Sequence, residues 1–143
     1  MTCKTTFDAG ITQRDQATAS LAIAIATLTT AAMPLVPTIG AMTPLGAALG
    51  EVQTAKRAMG LAMADFHQAL MCYATAGDGP GTQKSASNAS LAAAAMTAAG
   101  QAENAIQGAM AACMFLFPTA AISVTTAIAE AGNAVGACKA IVT

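Results

Sequence analysis

The sequence predicts an all-α protein, an up-down-up-down antiparallel four-helix bundle that is alanine-rich and tightly packed. Three observations predict it. Alanine, the strongest helix former, dominates a chain whose mean hydropathy is +0.57. Four long segments are separated by clusters of proline and glycine. Within the segments, apolar residues recur at alternating intervals of four and three, the spacing of a helical seam. The 143 residues are the size of one domain and enough for a real core.

The first helix is expected over about 12–33. Thr12 is placed to cap it, with Asp15 three residues on as a loose capping box, and Pro34 and Pro37 end it. Its apolar stripe is Leu21, Ile25, Leu28 and Ala32. The second is expected over about 44–76, where Thr43 and Pro44 supply a cap followed by proline at the first helical position. Its seam reads Leu45, Leu49, Val52, Lys56, Met59, Met63, Phe66, Leu70 and Tyr73, with Lys56 as the single violation. The stretch GDGPGT at 77–82 is the strongest breaker in the chain. The third helix is expected over about 85–117. The fourth, over about 119–143, follows Pro118 at once with a seam of Val124, Ile128, Ala131, Val135, Cys138 and Val142. Short connections make neighbours antiparallel, and alanine in the seams lets axes approach toward the low end of about 8–10 Å. LAIAIA alternates as a strand would, but its flanks are helical.

Composition narrows function. Charged residues are 9% of the chain, against about 25% in an ordinary soluble domain. The outer faces are therefore Ala, Thr, Ser and Gln, or they are covered by something else. A net charge of -1, 3% aromatics and no Trp argue against nucleic acid as a partner. The opening MTCKTTFDAG lacks the basic-then-apolar pattern of a secretory leader; a mature chain whose leader was removed would read the same. Residues 16–50 and 104–129 carry no charge and are long enough to span a bilayer. Proline interrupts both, and Ala and Thr dilute them, so each reads as a helical hairpin tip.

No residue set carries chemistry. Met59, Met63, His67 and Met71 recur every four residues, a soft-donor stripe suited to Cu(I) or haem. Positions four apart drift around the helix, however, and Met is a common gap-filler in cores. Asp65, His67 and Cys72 do not form a nucleophile set, because His67 and Cys72 stand about 140° apart around a helix. No metal, cofactor or catalytic residue is expected. Cys3, Cys72, Cys113 and Cys138 are too widely spaced for a zinc knuckle. One intrachain disulfide among Cys3, Cys72 and Cys138 is feasible, with four reduced cysteines as the alternative, and Cys113 is expected to pair with none of them. Asn88-Ala89-Ser90 fits a glycosylation sequon inside a helix start. Lys84 and the Ser/Asn run beside it read as a solvated cap.

The expected topology puts the 34–43 loop and the 117–118 turn at one end, called here the top. There Val36, Ile39, Met42, Phe115, Leu116 and Phe117 form an apolar cluster, and Glu51 is the nearest charge. An apolar end of that size calls for a cover. Counting about 1.5 Å per residue from the top, Lys56 lies about 18 Å down, Glu103 about 21 Å and Glu130 about 17 Å. Lys56 is therefore expected to pair with Glu103 or Glu130 and to fix the helix register. The expected function is a non-enzymatic structural subunit whose partners are copies of itself, in a filament, a pilus-like fibre or a coat. The alternative is a membrane-inserting, pore-forming type of protein whose partner is lipid. An ice-binding bundle would fit the Ala and Thr content but lacks a regular repeat. An extracellular or cell-surface location fits the assembly reading.

Overall fold

The computed structural model describes residues 2–32, 39–115 and 119–143. It is an all-α four-helix bundle. Helix α1 spans Cys3–Ala32, α2 Met42–Thr75, α3 Gly79–Met114 and α4 Ala120–Ala140, with a 3-10 turn at Ile39–Ala41 before α2. Each helix packs on the next, and α4 closes the ring on α1. Val36, Leu116 and Phe117 lie outside the described residues.

The buried positions recur at alternating intervals of three and four on all four helices. On α1 they are Phe7, Gly10, Ala17, Leu21, Ala24, Leu28 and Ala31, with half-buried Arg14 completing the series. On α2 they include Leu45, Ala48, Val52, Ala55, Met59, Ala62, Phe66 and Ala69. On α3 they run from Ser85 and Asn88 through Ala92, Ala95, Ala99, Ala102, Ile106 and Ala109 to Cys113. On α4 they are Ala120, Val124, Ala127, Ala131, Ala134 and Cys138, continued by Ile141.

This register corrects the expected seams. Leu45, Val52, Met59 and Phe66 face the core as expected, but the residues between them are Ala48, Ala55, Ala62 and Ala69. Leu49, Met63 and Leu70 are only partly buried, and Lys56 and Tyr73 likewise sit on the flank. On α1 the core holds Ala24 where Ile25 was expected, and on α4 Ala127, Ala134 and Ile141 replace Ile128, Val135 and Val142. Alanine at these positions allows the axes to approach closely. Layers that alternate a large residue with alanine fill the space between helices at native density. A Leu or Met in the alanine layer would push the axes apart. The larger side chains instead cover the seams from outside, as Ile25, Leu49, Met63, Ile128 and Val135 do.

Three helix starts also differ from expectation. Helix α2 begins at Met42 after Ala41 with no side-chain cap, so Thr43 and Pro44 lie inside the helix. Helix α1 begins at Cys3, well before Thr12, and Thr12 is no cap: its hydroxyl donates to the Asp8 carbonyl at 3.1 Å. Helix α3 begins at Gly79, before Ser85, so most of GDGPGT is its first turn. Gly77 takes the left-handed φ of 76° that ends α2, and the Asp78 N–H donates to the Tyr73 carbonyl at 2.9 Å. Asp78 then reverses role and caps α3, its side chain accepting from the Gly81 N–H at 3.0 Å. Pro80 sits in the first turn, where a missing N–H does no harm. The connection is so short because one residue terminates a helix and starts the next.

Candidate functional site

The two ends of the bundle differ in chemistry. At the bottom the start of α1, the end of α2 and the start of α3 meet. A disulfide joins Cys3 to Cys72 with their Cα atoms 5.4 Å apart, while Cys113 and Cys138 are free and buried. Phe7 meets Phe66 edge to face, with ring centroids 5.3 Å apart. Gly10 lies against that ring so closely that a β-carbon on it would stand 2.8 Å from Phe66 Cε1. Lys84 Nζ lies 5.7 Å from the centre of the Phe7 ring.

After α4 the chain turns extended at Ile141, and three side chains hold it there. The Arg14 guanidinium donates to the Ile141 carbonyl at 2.9 Å while also donating to Asp15. The Asn88 amide donates to the Val142 carbonyl at 2.8 Å and accepts from the Val142 N–H at 3.2 Å. Lys84 donates to the Thr143 carbonyl at 2.6 Å. The Ser/Asn run is therefore no solvated cap: Ser85 and Asn88 are fully buried. Ser85 Oγ has no hydrogen-bond partner among the described residues. Asn88, buried and bonded both ways, is closed to glycosylation in the folded chain. A cleft of about 410 Å³ opens beside this end, lined among others by Lys4, Asp8, Tyr73, Asp78 and Lys84. Its cations already have acceptors, since Lys4 pairs with Asp8 and Lys84 with Thr143.

The top end presents mostly apolar side chains. Met114, Phe115 and Ile122 are 59%, 64% and 69% exposed, and Met42 is half-buried beside the 3-10 turn. Of the expected interface residues, Phe115 is the most exposed among those whose exposure is described. Towards this end the outer faces of α1 and α4 are lined with threonine. Thr27, Thr29 and Thr30 each donate their hydroxyl to the carbonyl four residues earlier, and Thr125 and Thr126 do the same. With the donor turned back onto the helix, such a face offers methyl groups and few free polar ones. No charge stands anywhere in 16–50 or 104–129.

Lys56 Nζ lies 3.8 Å from Glu103 Oε1 across α2 and α3, and Glu130 has no ion-pair partner among the described residues. The pair is not in the core, because the Lys56 side chain is 43% exposed. It borders a shallow groove of about 700 Å³ between α2 and α3, lined also by Gly60, Leu61 and Met96.

The soft-donor stripe does not converge. Met59 is fully buried with its sulfur 3.3 Å from Cys138 Sγ, Met71 is 68% exposed, and His67 is exposed. Burial pushes the Cys138 thiol above its ordinary pKa, which keeps it protonated and unreactive. Cys72 is bound in the disulfide and offers no nucleophile. Burial also raises the Asp65 carboxyl. No group of three or more His, Cys, Asp or Glu side chains among the described residues could hold a metal ion.

The sequence reading missed the clasp on the C-terminal segment. Its signal is the presence of Arg14, Ser85 and Asn88 at seam positions, visible only once the seam register is corrected. No protein-family model, curated protein or solved structure matches the chain.

Proposed function

We propose that this chain is a structural subunit that assembles with copies of itself, without catalysis, into a filament, fibre or coat. The observation that carries the reading is the exposed apolar group at one end, Met114, Phe115 and Ile122, next to the uncharged stretches 16–50 and 104–129. A monomer in water gains nothing from large apolar side chains left 59–69% exposed at one end. Covering them against a second copy removes that surface from water at roughly 25 cal/mol per Å². Threonine faces with internally bonded hydroxyls can be buried against each other without stranding a donor. Contacts between unlike surfaces, an end against a flank, would repeat into an open array, whereas end-to-end contact would stop at a dimer.

The Cys3–Cys72 disulfide fits an oxidising, extracellular or surface setting. No helix among the described residues is long and apolar enough to cross a membrane. Negative-stain microscopy and size exclusion of the pure protein, with and without liposomes, test the reading. Regular particles formed without lipid are expected. A protein that stays monomeric in buffer and associates only with liposomes would replace assembly by insertion.

A further inference from the structure

We propose that the Cys3–Cys72 disulfide is a redox latch: it holds the first turns of α1 in the bundle, and its reduction releases them and uncovers Phe7 and Phe66. The argument starts from the segment 3–12, CKTTFDAGIT. Thr5, Thr6, Phe7, Gly10, Ile11 and Thr12 are all weak helix formers, and Gly10 alone costs about 1 kcal/mol relative to alanine. The sequence by itself points to a helix starting near Thr12, yet α1 begins at Cys3. Something tertiary overrides local preference over nearly three turns. Local hydrogen bonds there join Thr2 to Thr5, Lys4 to Asp8, and Thr12 to the Asp8 carbonyl. Long-range attachment includes the disulfide to the last turn of α2, the seating of Phe7 and Gly10 on Phe66, the Lys84 ammonium near the Phe7 ring and the packing of Ile11 on the core.

Without the cross-link, the conformational entropy lost by fixing 3–12 on the bundle must be offset by its non-covalent contacts alone. Both cysteines are half-buried, within reach of a small reductant. The chemistry is thiol–disulfide exchange. One thiolate of a dithiol attacks one sulfur of the Cys3–Cys72 bond and displaces the other as a thiolate. The second thiol of the reductant then resolves the mixed disulfide. The protein gains two electrons and two protons as two thiols, and the dithiol becomes a cyclic disulfide. Beyond the latch Arg14 is bonded to Ile141, so release stops there and the rest of the bundle stays folded. The released turns would bare Phe66, which is fully buried in the oxidised chain, at the end opposite Phe115.

The test is hydrogen exchange with mass detection on the full chain, oxidised and after treatment with dithiothreitol, with reduction verified by the gain of two protons in mass. Amides of 3–13 are expected to exchange about a hundredfold faster or more after reduction, while those of 85–109 keep their protection. The Cys3→Ser, Cys72→Ser chain should match the reduced wild type, and Cys113→Ser should match the oxidised one. Unchanged protection of 3–13 after verified reduction would overturn the latch. So would loss of protection throughout the bundle, which would make the disulfide a global staple, or the absence of the disulfide from the oxidised protein.

Discussion

The two ends of this bundle are built from the same helices under opposite rules. The bottom is pinned: a disulfide, an aromatic pair, a buried asparagine and an arginine that each grip the last residues of the chain. The top is smooth: exposed Met, Phe and Ile beside threonines that have bonded their own helices. With 9% charged residues the chain has few polar contacts to place, and it places most long-range ones at one end. On the proposed reading, stability and association do not share a surface. The pinned end sets register and direction, which leaves the smooth end free to be used between chains.

Several substitutions would sharpen or break this contrast. The largest effect is expected from Phe66→Ala, which removes a fully buried ring from the pinned end and should lower stability by about 3–5 kcal/mol in chemical denaturation. A loss under 1 kcal/mol would show that this end does not anchor the fold. Gly10→Ala comes next. Alanine favours helix by about 1 kcal/mol, but its β-carbon would stand 2.8 Å from the Phe66 ring, and overpacking costs about 1–3 kcal/mol. The clash is expected to win, giving a net loss in thermal and denaturant midpoints; a gain would mean that the ring yields freely.

Lys56→Met, at mid-height, should change stability by about 1 kcal/mol or less, because its Glu103 contact is long and nearly half open to solvent. A loss of about 3–5 kcal/mol, the scale of a broken buried pair, would make the middle of the bundle a second pinned region. The smallest effect is expected at Asp65, whose carboxyl pKa is raised by burial. Its folded pKa exceeds its unfolded one, so the native state binds the proton more tightly and stability falls as pH rises through that interval. Asp65→Asn should therefore be slightly more stable than wild type at pH 7, with the difference vanishing below the unfolded aspartate pKa of about 3.9. A difference that persists at low pH would assign the effect to packing.

How much of this was legible depended on what each signal encodes. The four helices and their antiparallel order followed from breakers and spacing, which are local. Half of each seam was also legible, because Leu45, Val52, Phe66 and Leu21 are large and correctly spaced. The other half was not, because reading the bigger of two neighbours as core fails where axes pack on alanine: Ala55 is buried and Lys56 is not. The early start of α1 was hidden for a different reason. The residues of 3–12 prefer other conformations, and a partner 69 residues away overrules them. Asn88 looked like a sequon and Lys84 like a cap, since the carbonyls they hold belong to a segment 54 and 59 residues distant. Contacts of that range leave no local trace.

The central claim is that the smooth end is a contact between chains, and sedimentation velocity on wild type and on a Phe115→Asp, Ile122→Asp chain tests it most directly. Both residues are mostly exposed, so the double change should leave the helical signal intact and shift stability by only about 0.5 kcal/mol per site. Wild type is predicted to sediment as species that grow with concentration in lipid-free buffer, and the double variant as a monomer at every concentration. A wild type that stays monomeric throughout, or a variant that associates equally well, would contradict the account.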